Sequence, residues 1–305
     1  MPIGLLGTGV IGASWASLFL ARGHHVTAYD PGPDSAAQTE AFITRAWPQL
    51  EAIGLMVEGA DPGAIRFVDS PEAAVEGAVF IQESVPERLP IKIEMYQRIE
   101  PYLGREAVLA TSASGLLIKD MQAGWKDPSR FLLGHPFNPP HLIPLVELLG
   151  NDRTDPDALD RAAAFYESCG KVTIRVMKEV PAHVGNRLQA ALWREAIHLV
   201  AEGVASVEDV DKAVTAGPGL RWSVMGPHML FGLASGGGGM EEFCNRYADS
   251  FHRWWDSLGE PRLDPDVVRQ LAEGLAAEEA GRSFDELSAL RDKNLIAALR
   301  TFAEQ

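Results

Sequence analysis

The chain has 305 residues, 46% of them hydrophobic and 23% charged, which is enough for two domains with a substantial buried core. A formal net charge of -15 repels phosphate backbones and anionic bilayers, so nucleic acid and membrane surfaces are poor partners for it. Cys169 and Cys244 stand far apart and outside any Cys-x-x-Cys pattern. That excludes a disulfide framework and a structural zinc site, and it suits a reducing cytoplasm.

The apolar start lacks a basic segment and is interrupted by Gly4, Gly7, Gly9 and Gly12, unlike a secretory leader. No run is long and apolar enough to predict a membrane span. Ile3–Leu6 reads as a short strand, followed by Gly7-Thr8-Gly9-Val10-Ile11-Gly12 and a helix to Ala21. A second strand, Val26–Tyr29, ends on Asp30, about 20 residues beyond the glycines, the arrangement a dinucleotide site requires. Gly7 permits the tight turn, Gly9 lets the backbone approach a pyrophosphate, and Gly12 lets helix and strand pack. Val10 and Ile11 belong to the same turn, and the N-terminus of the helix that follows it supplies free N–H groups and a positive dipole end for the phosphates. Asp30 can accept from the ribose hydroxyls and would repel a 2′-phosphate, which favours NAD over NADP.

A helical stretch from about Asp34 to Leu55 follows, then a strand near Ala64–Val68 and a helix started by Ser70-Pro71. Ala78–Gln82 is a buried strand whose C-terminal edge carries Glu87 and Lys92. Those two read either as a solvated ion pair at a helix start or as ligand contacts at the sheet edge. Ala107–Ala110 runs into Thr111-Ser112-Ala113-Ser114-Gly115, where hydroxyls serve local turns or an arriving substrate. Phe131–Gly134 and Leu142–Leu149 are apolar runs joined through His135-Pro136-Phe137-Asn138-Pro139-Pro140-His141. The prolines turn the chain, so the second run folds back and carries Glu147 toward His135. A histidine held by a carboxylate moves protons at neutral pH.

A helix over Asp155–Ser168, stopped by Gly170, and a strand over Val172–Val176 complete the first pattern. From Pro181 the chain is helical almost throughout. Gly185-Asn186 sits against helix propensity in the first turns of a long helix, a local violation of the kind found at functional sites. Ser206–Asp209 resembles a capping box. Gly217–Trp222 reads as a rigid turn and Gly236–Gly239 as a flexible one.

Taken together, the Gly-x-Gly-x-x-Gly turn, Glu87 with Lys92, Thr111-Ser112-Ala113-Ser114, His135–Pro139 with Glu147, and Asn186-Arg187-Leu188 resemble the 3-hydroxyacyl-CoA dehydrogenase superfamily over essentially the whole length. The resemblance implies an α/β fold: a Rossmann-type NAD-binding domain over residues 1–179, then a smaller all-helical domain over 180–305 that binds substrate and forms a homodimer. It implies His135 as general base and Glu147 as its orienting partner. Ser114 and Asn186 are then bound to the oxygen that becomes the carbonyl, with Glu87, Lys92 and Ser112 beside the cofactor. Ser112 stands where the family has an asparagine, which shortens its reach. No metal is implied.

Pro136 replaces the second phenylalanine of the acyl-CoA enzymes. The run Asn138–Leu148 and Asn186–Gln189 are closer to the L-gulonate 3-dehydrogenase and lambda-crystallin branch. Gly219-Leu220-Arg221-Trp222 resembles that branch and the carnitine 3-dehydrogenases alike, although the latter tend to carry aspartate at the position of Asn186. The expectation is oxidation of a small free L-3-hydroxy acid, gulonate-like, with an acyl-CoA thioester or carnitine as alternatives. Arg221 is expected to bind the carboxylate with two parallel hydrogen bonds; the other reading is a structural arginine. Trp222 reads as a core residue, or as a face for a quaternary ammonium. A non-catalytic crystallin role is the reading from another class, and Ser114, His135, Glu147 and Asn186 standing together argue against it.

Overall fold

The computed structural model describes residues 1–303. Two compact units are present. One comprises Met1–Gly185 with the chain from Leu295, the other Asn186–Asn294.

In chain order the first unit runs β1 (Pro2–Leu6), α1 (Val10–Ala21), β2 (His25–Tyr29), α2 (Ser35–Ala52), β3 (Ile65–Phe67), α3 (Pro71–Val75), β4 (Phe80–Glu83) and α4 (Leu89–Ile99). It continues with β5 (Val108–Thr111), α5 (Ile118–Met121), β6 (Phe131–Pro136), β7 (Leu145–Leu149), α6 (Pro156–Ser168) and β8 (Val172–Arg175). The eight strands form one sheet in the order β3-β2-β1-β4-β5-β6-β7-β8. β1 to β6 are mutually parallel; β7 pairs antiparallel with β6, and β8 pairs parallel with β7, so the last two strands run opposite to the first six. Strand order reverses between β1 and β4, and a crevice at such a reversal is where open α/β sheets hold ligands.

Central strands covered on both faces are mostly apolar, and β1 beyond Pro2, β4, β5 and β6 are buried throughout, with polar residues Gln82, Glu83, Thr111 and His135 at or near their C-terminal ends. One core lies on the α1 and α6 side, around Trp15, Phe19, Phe80, Phe165 and Tyr166. A second lies under α3 and α4, around Tyr96, Met121, Trp125 and Phe131. Each such side chain contributes about 1.5–3 kcal/mol through burial. Ser70 caps α3 by accepting from the Ala73 N–H, and Asp155 caps α6 by accepting from the Asp157 N–H.

The second unit is built from α7 (Gly185–Ala201), α8 (Val207–Ala216), α9 (Pro218–Trp222), α10 (Pro227–Leu233), α11 (Gly239–Ser257), α12 (Pro265–Glu279) and α13 (Phe284–Ala303), the last ending in the stretch assigned to the first unit. Ser206 caps α8 through the Asp209 N–H, as its sequence suggested. Within Gly217–Trp222, Pro218–Trp222 is a five-residue helix, not a turn, because Pro218 at its first position is preset to a helical φ. Phe231 of α10 stacks on Phe243 of α11, which meets Phe251 at a tilt, and Phe251 meets Trp254 edge to face. Among the described residues, no helix is long and apolar enough to cross a membrane.

Candidate active site

The loop between β1 and α1 has a shape that side chains would destroy. Gly7 takes a left-handed φ of 84°, and a Cβ there would press on the backbone of Ser84. A Cβ on Gly12 would collide with the Gly7 carbonyl, whereas one on Gly9 would meet nothing within 4 Å. The open side of the loop is therefore at Gly9, next to the N-terminus of the 12-residue α1. Asp30 holds the loop: its Oδ2 accepts from the Thr8 N–H at 2.7 Å and its Oδ1 from the Gly32 N–H at 2.9 Å. These features fit a dinucleotide, with the pyrophosphate on Gly9, Val10, Ile11 and Gly12 and the adenosine ribose on Asp30.

β6 and β7 pair so that His135 lies directly opposite Glu147. His135 Nδ1 donates to Glu147 Oε2 at 2.8 Å, which leaves Nε2 with a lone pair. The Ser114 hydroxyl lies against that lone pair at 3.1 Å. The other oxygen of Glu147 accepts from the Val184 and Gly185 N–H groups, both at 2.9 Å. Burial opposes the charge of Glu147. The bonds from His135, Gly185 and Val184 outweigh it and hold the carboxyl below its ordinary range. A base oriented by a fully buried anion and facing a hydroxyl can take a proton from an alcohol.

Gly185 opens α7, and its lack of a side chain is forced: a Cβ would run into the Phe137 ring. The chain behind His135 is pinned as well. His141 Nδ1 bonds Ser14 Oγ at 2.8 Å and Nε2 bonds Gln49 Oε1 at 2.7 Å, tying this loop to α1 and α2. Lys171, buried, donates to the Pro140 carbonyl and, at 2.8 Å, to that of Ile143, with its Nζ 5.1 Å over the Trp15 ring.

Several predicted residues take other partners. Lys92 does not pair with Glu87. It lies 1% exposed against Glu83, 2.5 Å away, and Tyr96 donates to the second oxygen of Glu83. Glu87 instead accepts from the N–H groups of Ser114, Gly115 and Leu116 with a single oxygen, which fixes the turn that presents Ser114. Ser112 is drawn inward, accepting from Gln82 Nε2 at 2.9 Å and bonding Ser84 Oγ at 3.0 Å. Asn186 and Arg221 belong to the second unit. Arg221 is exposed, and its guanidinium has no partner among the described residues. Trp222, at 39% exposure, is not a core residue, because the short α9 leaves it on the surface. Sequence reasoning missed the Glu83–Lys92–Tyr96 cluster and His183, a buried imidazole 5.1 Å from the His135 ring.

Residues 2–180 match the family model for the 3-hydroxyacyl-CoA dehydrogenase NAD binding domain, and residues 183–279 match the C-terminal domain of the same enzymes. The chain belongs to the 3-hydroxyacyl-CoA dehydrogenase family. This dehydrogenase uses NAD and acts on a CH–OH group. It is 46% identical over 298 residues to an L-carnitine dehydrogenase of Streptomyces griseus, covering 98% of this chain and 89% of the relative. An L-carnitine dehydrogenase of Nocardiopsis dassonvillei is 43% identical over 302 residues, covering 99% of this chain and 92% of that one. Among solved structures it resembles 5-formyl-3-hydroxy-2-methylpyridine 4-carboxylic acid 5-dehydrogenase, an NAD⁺-dependent dismutase. That likeness has a TM-score of 0.84 at 30% identity and covers 98% of this chain and 97% of the other.

Proposed function

We propose that this dehydrogenase oxidises the 3-hydroxyl of a small free L-3-hydroxy acid, with L-carnitine as its substrate. The observation that carries the chemistry is the Glu147–His135–Ser114 line, in which a buried carboxylate orients the base and a hydroxyl sits at its free nitrogen. His135 Nε2 takes the hydroxyl proton, and Glu147 stabilises the imidazolium that results. Ser114 and Asn186 donate to the oxygen as it becomes a carbonyl. Bound NAD supplies the hydride acceptor, held by the Gly7–Gly12 loop and Asp30. Glu87 keeps the Ser114 turn in place, and Glu87, Lys92 and Ser112 would line the cofactor's end of the sheet.

Two features support a free acid carrying a quaternary ammonium. Arg221 offers an unpaired guanidinium for a carboxylate. Trp222, Trp254 and Trp255 are exposed aromatic faces on the same unit, the surface a trimethylammonium prefers. The carnitine dehydrogenases at 43–46% identity favour L-carnitine over the gulonate-like acid expected from the Asn138–Leu148 run. In this reading residues 1–179 bind NAD and residues 180–305 bind substrate and pair with a second copy. The exposed Leu188, Trp193 and Phe284 support a homodimer. Two separate free cysteines are in keeping with the cytoplasm.

A panel of L-carnitine, L-gulonate, 3-hydroxybutyrate and 3-hydroxybutyryl-CoA with NAD⁺, followed by NADH absorbance, tests the reading. L-carnitine is expected to give the highest kcat/KM. A clear preference for the thioester would overturn the free-acid assignment.

A further inference from the structure

His183 carries two costs at one place. Its imidazole is 3% exposed, and neither ring nitrogen makes a well-formed hydrogen bond among the described residues, although the Ala113 carbonyl favours its protonated form. Its backbone, like that of Ala182, is left-handed, with φ of 51° and 64° at two residues that both carry a Cβ. Buried unpaired polar groups and strained dihedrals both concentrate at functional sites. Here they meet beside the base: the His183 and His135 rings are 5.1 Å apart and tilted by 51°. A phenyl ring would fill the same space without losing solvation, so packing alone does not account for a histidine.

We propose that His183 is a second substrate-binding histidine, whose imidazole hydrogen-bonds the C1 oxygen of the bound 3-hydroxy acid while His135 takes the hydroxyl at C3. The proposal rests on the reading that the substrate is a 3-hydroxy acid. In every member of that class, C1 and C3 each carry an oxygen, and two neighbouring imidazoles match such a pair. Burial holds His183 below the ordinary histidine range and the charge of His135 acts the same way, against Glu147, the Ala113 carbonyl and Glu179. The ring is therefore neutral at pH 7, with one N–H to donate to an oxygen and no second positive charge set against the imidazolium of His135. A trimethylammonium cannot accept that bond, so the C1 end of the substrate is the matching end.

The test compares wild type, His183→Phe and His183→Gln, with L-carnitine as substrate. The inhibitor is (2-hydroxypropyl)trimethylammonium, which is L-carnitine with a hydrogen in place of the carboxylate. Phe should raise KM for L-carnitine roughly ten- to a hundredfold, the loss of one hydrogen bond to a charged oxygen. Gln, which keeps an N–H, should recover most of it. The inhibition constant of the alcohol and the NADH dissociation constant should be the same in all three. Equal losses for acid and alcohol, or an unchanged KM, would overturn the assignment. Should the Phe variant fail a thermal-melt check, His183→Met removes both nitrogens in a more adaptable side chain. A wild type that oxidises 3-hydroxybutyryl-CoA and not L-carnitine would sink the free-acid reading alone. The same variants run on the thioester would then judge His183 separately, through its C1 carbonyl.

Discussion

The two units treat their polar and apolar groups in opposite ways. In the first, Gln82, Glu83, Lys92 and Glu147 are all but fully buried and each is hydrogen-bonded, while the aromatic side chains of Trp15, Phe19, Phe80, Tyr96, Trp125, Phe131, Phe165 and Tyr166 are enclosed in two cores. In the second, Trp193, Trp254 and Trp255 are each more than half exposed, and Arg221 has no partner among the described residues. Proton transfer needs groups fixed before the substrate arrives, since reorganisation during the reaction adds to the barrier. Recognition and association need surface left unfinished. On this comparison, changes at the buried His135 and Glu147 should lower kcat, and a change at the exposed Arg221 should raise KM.

The largest effect tests the first half of that division. His135→Ala should lower kcat for L-carnitine by about 10⁴-fold, the upper end of what a positioned base contributes. NADH binding, followed by fluorescence, should persist, because the Gly7–Gly12 loop and Asp30 do not touch His135. Substantial residual turnover would mean that another group is the base.

Glu147→Gln should cost less in rate, about 10²-fold, and should also cost about 2 kcal/mol of stability by replacing a charged acceptor with a neutral one. The pH dependence gives a sharper reading. The folded carboxyl is held below its ordinary range, so as pH falls the unfolded chain takes up the proton first. The contribution of Glu147 is then full above the ordinary carboxylate range and is lost as pH falls through the lowered folded value. Denaturant melts of the two proteins should differ most near neutrality and converge below roughly pH 4. A constant difference across that range would show that the charge of Glu147 is not what stabilises the site.

Legibility in the sequence followed local chain order and not the division into units. The dinucleotide loop and Asp30 were readable because strand, glycines and acid are local and follow one another. His135 with Glu147 was readable because a short proline loop leaves the second strand little choice but to fold back beside the first. The Glu83–Lys92 pair was not readable. Glu87 is nearer to Lys92 in sequence, but α4 packs back over β4 and brings Lys92 to the strand's last residue. Ser112 could not show that Gln82 and Ser84 on the neighbouring strand and loop would claim its hydroxyl. His183 gave no sign, since Ala182-His183 contains no glycine to announce a left-handed turn. Trp222 suggested a core by residue type, and only the shortness of α9 puts it outside.

The smallest effect probes the second unit. Arg221→Met keeps the length and apolar stem of the side chain and removes only the guanidinium. If Arg221 binds the substrate carboxylate, KM for L-carnitine should rise by roughly tenfold to a hundredfold with kcat little changed, because the lost contact is made equally in ground and transition states. KM for 3-hydroxybutyryl-CoA, which has no free carboxylate at C1, should hardly move. A fall in kcat of the same size as the rise in KM would instead place Arg221 among the groups that act on the reacting atoms, and the division between the two units would fail at that residue. No change with either substrate would leave Arg221 as a surface charge and shift the search for the carboxylate's partner to His183.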